Sequence, residues 1–93
     1  MNTDDVLKRY PKVFVEWEDI ITSPVWQEME NINDNRCLIC NSIGYLKTID
    51  RENNIIILMH TINANSQADS TVIPIGCIKR IRRMRFSDSD IIV

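Results

Sequence analysis

Residues 37–62 constrain the fold of this chain more than any other segment. Cys37 to Ile49 contains one glycine, no proline and an almost unbroken mixture of apolar and small side chains. The polar stretch Asp50-Arg-Glu-Asn-Asn54 follows, and then Ile55–Ile62, the most apolar segment of the sequence. Two long extended runs joined by a short polar turn predict a β-hairpin. Gly44 is the expected bend in the first run, because a missing side chain permits a bulge or a barrel corner. A chain of 93 residues with this hairpin at its centre has room for one domain and one modest core. It is too short for a (β/α)₈ barrel or a two-domain enzyme.

The flanks supply the remaining elements. Val13, Val15 and Trp17 alternate with Phe14, Glu16 and Glu18, the period of a strand with one buried face. Ahead of it, residues 1–11 read as a short helical turn, with Thr3 or Asp4 at its start, Val6, Leu7 and Tyr10 as its apolar stripe and Pro11 as its stop. Ser23-Pro24 has the form of a helix start, and Val25, Trp26, Met29 and Ile32 give that helix one apolar side before the Asn31–Asn35 cluster ends it. Asn63–Ser70 reads as a loop and Thr71–Ile75 as a short strand with Pro74 at an edge or an end. Pro74–Ile78 reads as a tight turn. In Lys79–Met84 the apolar residues Ile78, Ile81 and Met84 recur every three positions, yet a count of five strands favours a closing strand entered through one helical turn. The expected architecture is mostly β with one short helix: a partly closed, small antiparallel SH3/Sm-like barrel of about five strands, since closure removes exposed edges. Residues 1–11 form an N-terminal extension, 12–86 the barrel and 87–93 a tail.

Composition agrees. Hydrophobic residues make up 44% of the chain and charged residues 26%, a globular balance. The 16 isoleucines favour strands, since branched side chains pack well on a pleated surface. Apolar runs of four or five residues span no membrane, and the acidic start Met1-Asn-Thr-Asp-Asp5 is unlike a signal peptide, so a cytosolic protein is expected.

The net charge of −2 conceals a division along the chain. Residues 1–34 hold eight acids and three bases, whereas residues 71–86 hold five bases and no acid. Those bases are Lys79, Arg80, Arg82, Arg83 and Arg85, and guanidinium forks suit phosphate oxygens. On a strand Arg80 and Arg82 share one face, Lys79 and Arg83 the other. They are the candidate ligand-binding residues, for a nucleotide or nucleic acid, with Trp17 as a candidate stacking surface.

Other chemistry is set aside on geometry. Cys37-Leu-Ile-Cys40 has the spacing of a zinc knuckle, and Cys77 and His60 make up a set of four, but residues three apart on a strand face opposite ways. No metal and no cofactor is expected. His60, the single histidine, has no nucleophile or orienting acid marked near it, and Glu16 and Glu18 read as a solvated face. No catalytic residue is assigned.

The segments Val13-Phe-Val-Glu-Trp17-Glu-Asp19, Trp26, Cys40-Asn-Ser42-Ile-Gly44-Tyr-Leu46 and Ile73-Pro74-Ile-Gly-Cys77-Ile78 together resemble short, uncharacterised small-β-barrel (SH3/Sm-like) proteins of tailed bacteriophages. The resemblance spans roughly residues 12–84; the first eleven residues and the arginine-rich finish depart from it. It implies a small β-barrel acting in the cytoplasm of an infected bacterium, and it carries no activity and no site residues. The expectation is a non-enzymatic phage accessory protein that binds and sequesters or inhibits a host component, either a host defence protein or a phosphate-bearing signalling nucleotide. An Sm-like nucleic-acid-binding module and a structural virion component are the alternatives, and a homo-oligomer without membrane association is expected in each case.

Overall fold

The computed structural model describes residues 3–19, 26–32 and 37–93. Helix α1 (Thr3–Arg9) leads into five strands: β1 (Lys12–Asp19), β2 (Leu38–Asp50), β3 (Ile55–Ile62), β4 (Ala68–Pro74) and β5 (Ile78–Arg83). All neighbours run antiparallel, in the order β4-β3-β2-β1-β5. The hairpin is present, and its turn is built by Asp50, whose carboxylate accepts from the Asn53 backbone N–H at 3.0 Å and the Asn53 side-chain amide at 2.8 Å. Asn54 completes it with a φ of 55°, a left-handed conformation that asparagine tolerates.

Strand β2 serves two partners. Its first part pairs with β1, from Asp19↔Leu38 to Lys12↔Tyr45, and its second part pairs with β3, from Tyr45↔Met59 to Asp50↔Ile55. Gly44 lies at the handover and is buried; a Cβ there would stand 2.9 Å from the Met59 carbonyl oxygen and 3.3 Å from the Leu58 Cβ. The glycine thus admits the backbone of β3. The bulge expected at Gly44 falls instead between Leu46 and Thr48, where the register shifts.

The core sits on one face of this sheet. Val13 and Val15 of β1 meet Ile56 and Leu58 of β3 and Ile73 of β4, with Trp17, Leu46, Ile75, Ile78 and Ile81 packed around them. Each side chain so buried contributes roughly 1.5–3 kcal/mol. A second link runs through His60. Its Nδ1 lies 3.0 Å from the Ile43 carbonyl, which can only accept, so Nδ1 donates there, and Nε2 shares a hydrogen bond with the Thr71 hydroxyl at 2.7 Å. The imidazole therefore bridges β2 and β4 across β3, a structural role.

Several expectations are corrected. The sheet is not closed: β4 and β5 each pair on one side only, leaving two edges, because the chain leaves β4 through a 3₁₀ turn at Ile75–Cys77 and crosses to β1. Pro74, without an N–H, ends one edge, and cations line the other, both features that discourage further pairing. The helix expected from Ser23 begins outside the described residues. Over 26–32 there is one 3₁₀ turn, Met29–Asn31, and Trp26 is 99% exposed, so its apolar spacing buries nothing there. The loop expected over 63–70 is shorter, since β4 begins at Ala68.

That early start has a cause in Asp69. Its Oδ1 accepts the backbone N–H groups of Thr61 at 2.7 Å and His60 at 3.1 Å, where the β3–β4 register shifts. The Thr61 N–H above all, with a smaller contribution from His60, holds this carboxyl below its ordinary value of 3.8. A depressed folded-state value means stability that is complete above that ordinary value and is lost as pH falls through the folded one.

Two outcomes follow from this packing. Gly44→Ala should destabilise the fold by about 1–3 kcal/mol in urea unfolding, through overpacking against the Met59 carbonyl; an unchanged midpoint contradicts the handover. Amide protection at His60 and Thr61 should fall relative to Ile56 as pH drops below about 4, and Asp69→Asn should remove that dependence.

Candidate functional site

The pairing of β1 with β5 divides the basic residues. Register runs Val13↔Arg83, Phe14↔Arg82, Val15↔Ile81 and Glu16↔Arg80, and then shifts so that Trp17 opposes Ile78. The shift leaves Lys79 out of the ladder and upsets simple alternation. Lys79 reaches Glu18 at 3.3 Å, and Arg80 reaches Glu16 at 3.3 Å. Two of the five candidate cations are therefore tied to carboxylates of the neighbouring strand. Among the described residues, Arg82, Arg83 and Arg85 have no such partner.

Trp17 is placed by the fold rather than offered to a ligand. Its ring packs against the core, and its indole N–H donates to the Ser42 hydroxyl at 3.0 Å. Both are uses of an aromatic residue that is apolar in body and polar at one edge.

Arg83 and Arg85 stand at a different place. A cleft of about 340 Å³ lies where α1 and the start of β1 meet the end of β5. Lys8, Lys12, Arg83 and Arg85 contribute its charge; Leu7, Pro11, Met84 and Phe86 contribute its apolar surface. Among the described residues no carboxylate, histidine or thiol lines it. Backbone bonds fix its walls. The Met84 N–H donates to the Lys12 carbonyl at 2.8 Å, the Leu46 N–H to the Pro11 carbonyl at 2.8 Å, and the Tyr10 N–H to Val6 at the end of α1 at 2.8 Å. Lys12 stands 5.2 Å from the centre of the Phe86 ring and 5.8 Å from that of Tyr45, so its ammonium is held over aromatic faces, and it makes no ion pair among the described residues.

Four cations around a concave surface that carries no acid among the described residues make a focused positive potential, even on a chain whose net charge is −2. Such a cleft can hold an anion against its rim and a flat or apolar group against Phe86, Met84 and Leu7. Its volume falls within the range of small-molecule sites.

The structure thus assembles Arg83 and Arg85 with residues that sequence reading passes over. Lys8 and Lys12 are hidden in an N-terminal third rich in acids, and no spacing signals that Lys12 will lie beside Met84. Arg82 lies across from Phe14, apart from the cleft lining. Among the described residues no group of three or more His, Cys, Asp or Glu side chains is arranged to hold a metal. Cys37 is exposed, and Cys40 and Cys77 are half-buried free thiols. No helix among the described residues is long and apolar enough to cross a membrane.

No protein-family model, curated protein or solved structure matches the chain.

The ion pairs give a direct check. They are half-exposed, so Glu16→Ala with Glu18→Ala should cost less than about 1 kcal/mol in stability. The same change releases Lys79 and Arg80 and should strengthen retention on a heparin column. Unaltered retention would show that those cations are not held by the two carboxylates.

Proposed function

We propose that this protein binds, without chemical turnover, a phosphate-bearing small molecule of the nucleotide class in the cleft between α1 and the end of β5. One observation carries the reading: Lys8, Lys12, Arg83 and Arg85 converge on a concave surface that holds no acid among the described residues and has an apolar lining ending in Phe86. Phosphate oxygens suit the guanidinium forks, and a base suits the ring and thioether. Among the described residues the lining offers no nucleophile with an adjacent base, which favours capture over catalysis.

On the resemblance to small phage proteins, the ligand is a signalling nucleotide of the host, held one per site so that it no longer reaches its receptor. The strand order, the double pairing of β2 and the 3₁₀ turn between β4 and β5 support an SH3/Sm-like barrel left open between β4 and β5 as the finer description of the fold. The nucleic-acid alternative has less behind it, because Lys79 and Arg80 are occupied by Glu18 and Glu16 and the remaining cations form a cluster rather than a track.

Thermal unfolding in the presence of linear and cyclic mono- and dinucleotides tests the reading. At a hundred-fold excess over the dissociation constant, binding should add about 2.7 kcal/mol of stability. Arg83→Glu with Arg85→Glu should weaken binding at least about tenfold, and raising salt should weaken it steeply. Absence of stabilisation by every nucleotide at saturating concentration rejects the proposal.

A further inference from the structure

Residues 87–93 follow directly on Phe86, the last residue of the cleft lining. They are folded. Ser87 and Asp90 form a reciprocal capping box, in which the Ser87 N–H donates to Asp90 Oδ2 at 2.8 Å, and the 3₁₀ turn Asp88–Asp90 closes with the Ile91 N–H on the Asp88 carbonyl at 3.2 Å. Yet the three apolar residues that this turn presents cover nothing: Ile91 is 67% exposed, Ile92 96%, and Val93 wholly so. A short segment that is locally ordered while contiguous apolar side chains stay in water has the features of an unfilled contact.

Its chemistry is the converse of the cleft's. The segment carries two carboxylates, Asp88 and Asp90, followed by three apolar side chains, and it has no base. The cleft carries four cations beside apolar side chains, and among the described residues it has no acid. The segment does not fit its own cleft without unfolding. Phe86 is already part of the lining, the capping box starts at the next residue, and Ile91 continues in extended backbone at φ −70° and ψ 122°.

We propose that the 87–93 segment of one copy docks in the cationic cleft of a second copy, and that two copies exchange these segments reciprocally to form a two-fold pair. The carboxylates of Asp88 and Asp90 lie against Arg83, Arg85 and the lysines of the other chain, and Ile91 and Ile92 cover its Phe86 and Met84. This rests on the same reading of the cleft as an anion site. It adds that the segment and the phosphate ligand compete, so that ligand binding dissociates the pair. Two small contacts acting together, each largely electrostatic, give a weak and salt-sensitive association.

Sedimentation equilibrium of the full chain, without any nucleotide, tests the pairing over roughly 5–500 µM. At about 50 mM salt the mean mass should rise toward that of two chains, and at about 500 mM it should fall back to one. Asp88→Lys should abolish the association, as should Arg83→Glu with Arg85→Glu. An equimolar mixture of the two variants should restore a mixed pair, because the reversed segment of one then meets the reversed cleft of the other. A wild-type chain that stays monomeric, association that survives Asp88→Lys, as pairing of edge strands would, or a mixture that stays dissociated each overturns the inference. Nucleotide titration of Asp88→Lys separates the two claims. Tight nucleotide binding by Asp88→Lys while it stays monomeric is the result expected of both claims. Tight binding by a wild-type chain that never pairs removes this inference alone, and pairing by a wild-type chain that binds no nucleotide removes only the reading of the ligand.

Discussion

The close approach of β3 to Gly44 is the contact on which the remaining geometry depends. Strand β2 leaves β1 and takes up β3 within a residue of this glycine, and a single Cβ would meet the Met59 carbonyl at 2.9 Å. Only by changing partners there can β2 bring Val13 and Val15 of β1 onto the same cluster as Ile56, Leu58 and Ile73 of β3 and β4. His60 reinforces the junction, with its ring held between Ile43 and Thr71. Hydrophobic burial supplies the driving force, but this backbone contact decides which faces are brought together.

A second irregularity governs the charges. The register shift beside Trp17 removes Lys79 from the β1–β5 ladder, and with it the alternation that sends neighbouring side chains to opposite faces. Lys79 and Arg80 consequently both reach glutamates of β1. Beyond the shift the partners of β5 are Val13 and Phe14, which offer no carboxylate, so the far end of the strand stays positive. The same β1 neutralises one half of the basic segment and leaves the other half available.

That remaining half becomes a site only because the two ends of the chain meet. The bond from the Met84 N–H to the Lys12 carbonyl sets the end of β5 against the start of β1, and α1 adds Leu7 and Lys8. A cleft so made couples the helix, the first strand and the final segment, and loss of any one of them opens it. The residues that follow Phe86, acidic and then apolar, are therefore attached to the rim of the surface they complement.

Much of the fold was legible in the residues themselves. Alternation in β1, the unbroken apolar runs of β2 and β3, the Asp50–Asn54 turn and Pro74 at a strand end are local signals, since strand period, turn chemistry and a missing N–H act over a few residues. Gly44 was recognisable as special for the same reason, although its use as a point of close approach was not. The helical spacing of Trp26, Met29 and Ile32 misled because periodicity reports a capacity to form a face, while burial needs a surface for that face to cover. The basic segment was visible as composition, but its division into paired and unpaired cations depended on a one-residue shift, and the cleft depended on Lys8 and Lys12 arriving from the other end of the chain. The order of residues determined which segments extend, turn and repel water. Tertiary structure alone decided which charges meet, because electrostatic partnership depends on distance in space, and no pattern along the chain encodes the separation of Lys12 from Met84.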